Sequence, residues 1–260
     1  VLRRLLLILS LLLFIPVATQ AQTFPKLTGR VVDDAALLSP AQEQALTDKL
    51  AALEKQSGRQ VVVATLRDLQ GYDISDYGYR LGRAWGLGSK ERNDGALLIV
   101  APSERKIRIE VGYGLEGIMT DAVSSQIIRD DIRPHFKAGD MPGGIEAGVD
   151  AIGKLLSLPP DEARAFAAQA AAKQRDAADD GGGFMIVFWL FVIVIIVAAM
   201  ASGRGRKGQR YRGGSGPIIL WGPGDSRSGW GGGSGWGGSD GGGFSGGGGS
   251  FGGGGASGDW

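Results

Sequence analysis

Hydrophobic positions along residues 22–158 switch repeatedly between helical and strand spacing, and that switching predicts the elements. Ser39 followed by Pro40 reads as a helix N-cap with proline in the first turn. Leu46, Leu50 and Leu53 then form an apolar stripe to about Gln56, and Gly58 follows as a stop. Gln60–Leu66 is β-branched and almost wholly apolar, the composition of a strand covered on both faces. Ile74, Tyr77, Leu81 and Trp85 return to helical spacing behind an Asp73 cap, closed by Gly86 and Gly88. Ala96–Ala101 predicts a second buried strand. A short turn through Pro102 leads into Lys106–Val111, whose strict alternation predicts the second arm of an antiparallel hairpin. Helices are expected over 120–133, stopped by Pro134, and over 144–156. Strands mixed with helices in this order predict an α/β fold, a mixed sheet flanked by helices.

The segment Arg105–Asp121 carries the most specific pattern. Ile107, Ile109 and Val111 mark one face of a strand, with Lys106, Arg108 and Glu110 on the other. A glycine loop follows, and Gly112, Gly114 and Gly117 spell GxGxxG. A dinucleotide site needs a helix opening inside that motif, a second parallel strand, and an acidic residue about 20 residues on. Here the loop runs on through Met119, and Asp130 and Asp131 fall inside the next helix, so the dinucleotide reading is set aside.

Two apolar stretches bear on the address. Arg3 and Arg4, the run Leu5–Ile15 and the small-residue site at Thr19–Ala21 read as a secretory signal peptide over residues 1–21, with an uncleaved anchor as the alternative. Residues 184–201 are 18 in a row without a charge, which predicts one C-terminal transmembrane helix. Asp176, Asp179 and Asp180 precede it; Arg204, Arg206, Lys207, Arg210 and Arg212 follow it. That bias predicts an extracytoplasmic (periplasmic) domain and a cytoplasmic tail on a single-pass cell-membrane protein. Between domain and span, residues 159–183 read as an Ala-rich stalk ending in a flexible Gly181–Gly183 joint. The tail, 202–260, holds many of the chain's 46 glycines and scattered aromatics. Such a composition buries too little to offset its ordering entropy, so the tail is expected to be disordered.

Charge and cysteine content narrow the chemistry. With 28 basic and 27 acidic residues the net charge is +1, and the folded part presents no broad basic face for nucleic acid. The absence of cysteine removes thiol nucleophiles, zinc–thiolate sites and disulfides, and leaves the redox compartment open.

Several motifs, in order, resemble the TPM domain family. They are Val31–Ser39, Asn93–Ala101, Arg105–Asp121, Asp130–Asp140 and Gly143–Gly148, and together they span roughly 24–158. The resemblance implies an α/β/α sandwich, with the domain at residues 22–158. It also implies an acidic site for a divalent cation, calcium or magnesium. By that resemblance the ligands are Asp33, Asp34, Asp121 and Asp130, with Glu110 and Glu116 beside them. Some family members have been described as phosphatases.

The residues themselves leave alternatives open. Acids from distant loops converging on one sheet edge, with glycine-exposed backbone oxygens, would suit a hard cation. Equally, Asp121 caps a helix, Asp34 caps a turn, and Asp130 with Asp131 forms a solvated face. His135 has no visible catalytic partner, and Arg105, Lys106 and Arg108 read as a solvated strand face or as phosphate-binding cations. Two functions follow as expectations. One is a membrane-anchored adaptor or assembly factor for membrane or envelope proteins, with a divalent-cation site. The other is a metal-dependent phosphatase acting on extracytoplasmic phosphoesters through metal-bound water.

Overall fold

The computed structural model describes residues 22–202 and 244–260, with the backbone path alone for 178–187 and 198–202. The expected leader 1–21 and tail residues 203–243 lie outside the described residues. The described residues up to Ala172 and from Phe244 onward form one compact unit; those from Lys173 to Ser202 belong to another.

The sheet has five strands in sequential order: β1 (Val31–Asp33), β2 (Gln60–Thr65), β3 (Gly95–Ala101), β4 (Lys106–Gly112) and β5 (Phe251–Asp259). The first three run parallel, and β4 and β5 are each antiparallel to their predecessor. Alternate residues feed two cores, as the pleat requires. Val61, Val63, Leu98, Ile107 and Ile109 pack with Leu46, Leu50 and Leu53 of α1 (Pro40–Ser57) and with Val149 and Ile152 of α5 (Met141–Ser157). Val62, Ala64, Leu97 and Ile99 pack on the opposite face with Tyr77, Leu81 and Trp85 of α2 (Ile74–Trp85). Helices on both faces give the expected α/β fold with its mixed sheet.

Local signals place the helix ends. Ser39 and Gln42 form a reciprocal capping box at α1, which ends at Gly58 in the left-handed region (φ 68°). Asp73 caps α2 through the Ser75 N–H. Pro134, expected to stop a helix, instead opens the short α4 (Arg133–Lys137). It follows α3 (Asp121–Ile127) through a π turn at Ile128–Ile132. Proline has no N–H and its ring crowds the preceding turn, and the wider π geometry relieves both.

Three expectations fail. The Gly181–Gly183 joint is helical, inside α6 (Pro160–Ser202); alanines and apolar helix formers on either side outweigh about 1 kcal/mol per glycine. The stalk also begins as part of the domain, since Ala163, Ala167 and Ala170 are buried in its core. The tail is not disordered throughout, because Phe251–Asp259 completes the sheet.

The transmembrane helix is not supported either, as no helix among the described residues is long and apolar enough to cross a membrane. Within 184–201, side chains are described only for Phe188–Val197.

Candidate functional site

Sheet polarity decides where five of the six expected carboxylates go. β1 to β3 are parallel, so Asp33 and Asp34 emerge at their carboxyl edge. The hairpin reverses β4, and Val111 lies opposite Ala96 at the start of β3. Glu110, Glu116 and Asp121 are therefore carried to the amino edge. Three strand spacings of about 4.8 Å separate β1 from β4, some 14 Å before any offset along the strands is added.

Each acid is also committed locally. Asp33 accepts from Leu37 N–H at 3.0 Å, Leu38 N–H at 2.8 Å and the Thr65 hydroxyl at 2.5 Å. Asp34 pairs with Arg67 at 3.2 Å, and Asp130 with its neighbour Arg129 at 2.8 Å, on the surface. Glu116 and Asp121 share a hollow, lined also by Thr120 and Gly252–Gly254. No group of three or more histidines, aspartates or glutamates is placed to hold a metal ion among the described residues. The six-carboxylate calcium or magnesium site does not fit this geometry, because the antiparallel β4 carries Glu110, Glu116 and Asp121 to the end of the sheet opposite Asp33 and Asp34.

His135 Nδ1 lies 3.0 Å from Asp140, and both are exposed. Asp140 is held below the usual carboxylate range, first by the Gly143 N–H it accepts from and then by His135. This pair closes the turn into α5, where Asp140 is the N-cap.

The open side of β4 holds a different kind of site, a groove that receives a strand. β5 pairs along all of β4, from Lys106 opposite Asp259 to Val111 opposite Gly254, with a bulge before Gly112 meets Phe251. Its approach is fixed first: Asn93 Oδ1 accepts from the Ser250 N–H at 2.8 Å, and the Gly86 carbonyl accepts from Gly248 at 2.8 Å. Phe251 is fully buried between the sheet and α2. Gly82 leaves room for it, since a Cβ there would stand 3.1 Å from the ring. Further along, the Gly255 N–H donates to Asp121 at 2.8 Å. Gly255 has φ 122°, which disfavours any side chain. Trp260 ends the chain edge-on to Phe136, with ring centroids 4.7 Å apart.

Arg108 is the centre of this groove. It is 5% exposed, because α2 covers the β4 face that alternation alone reads as solvated. Its Nε donates to Glu110 Oε2 at 2.5 Å. The guanidinium also donates to the Ser257 hydroxyl at 2.9 Å and the Gly253 carbonyl at 3.0 Å. A carboxylate balances its charge while the terminal strand takes two of its other donors. Burial pushes the Glu110 carboxyl up to about 6, against the pull of Arg108 and helped by the nearby Asp121 charge. Its second oxygen, Oε1, is buried without a hydrogen-bond partner.

Sequence reasoning missed Arg108, Asn93, Gly82, Phe251 and Ser257 as parts of one site. A signal existed for Arg108 alone. A central strand with helices on both faces has no solvated face, so Arg108 and Glu110 two residues apart had to be a buried pair.

The sequence profile described as the TPM domain matches residues 31–155. The N-terminal domain of a P. gingivalis protein, solved by NMR, is 37% identical over 49% of this chain and 81% of that one, with a TM-score of 0.46. The chain belongs to the TPM domain family. The N-terminal domain of a Corynebacterium glutamicum protein is similar at 18% identity, over 52% of this chain and 84% of that one, with a TM-score of 0.41. The BA42 protein of Bizionia argentinensis is similar at 22%, over 46% and 81%, with a TM-score of 0.42. No curated protein matches the chain. The matched TPM region ends before β5, so the strand docked on β4 lies outside it.

Proposed function

We propose that this TPM-domain protein is an adaptor for membrane or envelope proteins, and that it works by strand addition at the β4 edge. The observation that supports it most directly is the docked β5, held by backbone pairing, the Phe251 pocket and Arg108. Strand addition to a sheet edge is a general mode of peptide recognition: the main chain supplies affinity and side-chain pockets supply specificity. The run Leu5–Ile15 behind Arg3 and Arg4, read as a leader, supports an extracytoplasmic domain, and the uncharged stretch 184–201 supports its attachment at a membrane. Tethering raises the local concentration of membrane-bound partners at that edge.

The phosphatase alternative needs metal-bound water beside a cation for the phosphate. Its proposed metal ligands lie on opposite sheet edges, and Arg108 is engaged by Glu110 and β5. No specific observation favours it.

The test is purification of the full chain from native membranes, with a photo-crosslinking residue placed at Tyr113 beside the groove. A membrane or envelope partner crosslinked there, and lost on Arg108→Glu, is the expected result. Metal-dependent turnover of a generic phosphoester, abolished by Asp121→Ala, with no crosslinked partner, would reverse the assignment.

A further inference from the structure

We infer that the resident ligand of the β4 groove is this chain's own C-terminal segment, residues 244–260, and that it occupies the groove of the molecule it belongs to. The consequence is topological: domain and C-terminus lie on the same side of any membrane that the apolar stretch 184–201 enters. The inference names the first occupant of the adaptor edge proposed above and rests on that reading only for the consequence that the tail masks the edge.

The segment fits its groove position by position, as a ligand does and as a generic flexible tail does not. A Cβ at Gly258 would stand 2.6 Å from the Ile128 side chain, and one at Gly247 would stand 2.6 Å from the Gly88 carbonyl oxygen. A Cβ at Gly252 would collide with the Tyr113 ring, and one at Gly255 with the Ile109 carbonyl. Where the chain carries side chains instead, four of them have receptors. Phe244 stacks under the Arg30 guanidinium at 4.7 Å, and Phe251 fills the space left by Gly82. Ser257 meets Arg108, and Trp260 meets Phe136. The ligand class is thus a strand with an aromatic anchor, glycine at the close approaches, a hydroxyl six residues beyond the anchor and a second aromatic nine residues beyond it.

Charge bias alone gives the opposite topology. The cations from Arg204 to Arg212 would hold residues 202–260 in the cytoplasm if 184–201 crossed once. A chain that crosses once cannot return its last nine residues to a sheet on the side it left. The terminal strand and residues 22–172 form one compact unit. The apolar stretch therefore makes no one-way crossing while β5 is docked.

The chain has no cysteine, so an engineered pair reports cleanly. Lys106 and Asp259 are register partners, and paired antiparallel residues lie within disulfide reach at about 4.5–5.5 Å between Cα atoms. The full-length Lys106→Cys/Asp259→Cys chain is expressed in membranes, oxidised mildly and read on a non-reducing gel with mass spectrometry. The expected result is an intramolecular link in most chains, reduced about tenfold or more when Phe251→Ala empties the anchor pocket. The control pair Lys106→Cys/Ser250→Cys, out of register, should not link.

A link found mainly between two chains would overturn the self-occupancy and leave the docking edge intact. No link in the membrane-embedded chain, alongside a link in detergent, would overturn the shared side. No link in either, with a partner still crosslinked at Tyr113, would overturn this inference while sparing the adaptor reading.

Discussion

The ring of Phe251 rests on the bare backbone of Gly82, 3.1 Å from where a Cβ on that glycine would stand. Glycine inside a helix costs about 1 kcal/mol relative to alanine, and here that cost opens the pocket that anchors the terminal strand. Gly82→Leu should therefore destabilise the protein by about 1–3 kcal/mol through overpacking, despite leucine's better helix propensity. Phe251→Ala should cost about 3–5 kcal/mol. The double variant should be less destabilised than the sum, because the leucine enters the space the phenylalanine vacates. Urea midpoints of the four proteins measure the coupling; strict additivity would mean that the two residues do not meet.

Arg108 and Glu110 should behave as a buried pair. Arg108→Met leaves a buried, uncompensated carboxyl group, and Ser257 and Gly253 lose their donors; about 3–5 kcal/mol should be lost. Replacing both, Arg108→Met with Glu110→Leu, should recover much of that, since buried pairs are often matched by apolar residues of similar volume. Thermal unfolding of the three proteins decides. A double variant as unstable as the single would show that the strand's hydrogen bonds to Arg108, and not the ion pair, carry the stability.

How much of this was legible in the sequence depends on how far apart the cooperating residues are. Helix caps were readable because Ser39 and Gly58 act within their own turns. The hairpin arm was readable because Ile107, Ile109 and Val111 alternate. The site was not, because it is made by pairing across more than a hundred residues: Arg108 with Ser257, Asn93 with Ser250, Asp121 with Gly255. Glycine-rich composition signalled disorder, since glycine loses the most entropy on folding. What composition could not show is that an exposed strand edge stands ready to supply the missing hydrogen bonds. The expected acidic cluster failed for a similar reason, as the antiparallel turn of β4 sends Asp121 away from Asp33.

Glu110 gives the stability curve a definite sign. Its carboxyl titrates near 6 when folded, against an ordinary value of 4.5. Between those values the folded state holds a proton that the unfolded chain has released, so stability falls as pH rises through the window. A shift of that size corresponds to roughly 2 kcal/mol, fully lost above the folded value. The stability of wild type minus that of Glu110→Gln should decline by about that amount from pH 4.5 to pH 6.5, since other groups cancel in the difference. A flat difference would mean that Arg108 compensates the burial completely.

Asp33 and Asp34 are adjacent in sequence and were expected to act together, but their surroundings separate them. Asp33 is half-buried and takes hydrogen bonds from Leu37, Leu38 and Thr65, closing the loop between β1 and α1. Asp33→Ala would leave those donors without their acceptor, and a loss of about 1–3 kcal/mol is expected. Asp34 pairs on the surface with an Arg67 side chain that is 74% exposed, and a pair of that kind contributes about 0–1 kcal/mol. Asp34→Ala should therefore change stability little, and still less at high salt. A shared metal site predicts a different result, with both substitutions lowering calcium or magnesium affinity to a similar extent. Guanidinium midpoints for each variant, with and without the cation, distinguish a loop clasp from a ligand pair. The clasp requires that the inequality between the two variants persist in chelator, because the Asp33 bonds are made to the protein itself.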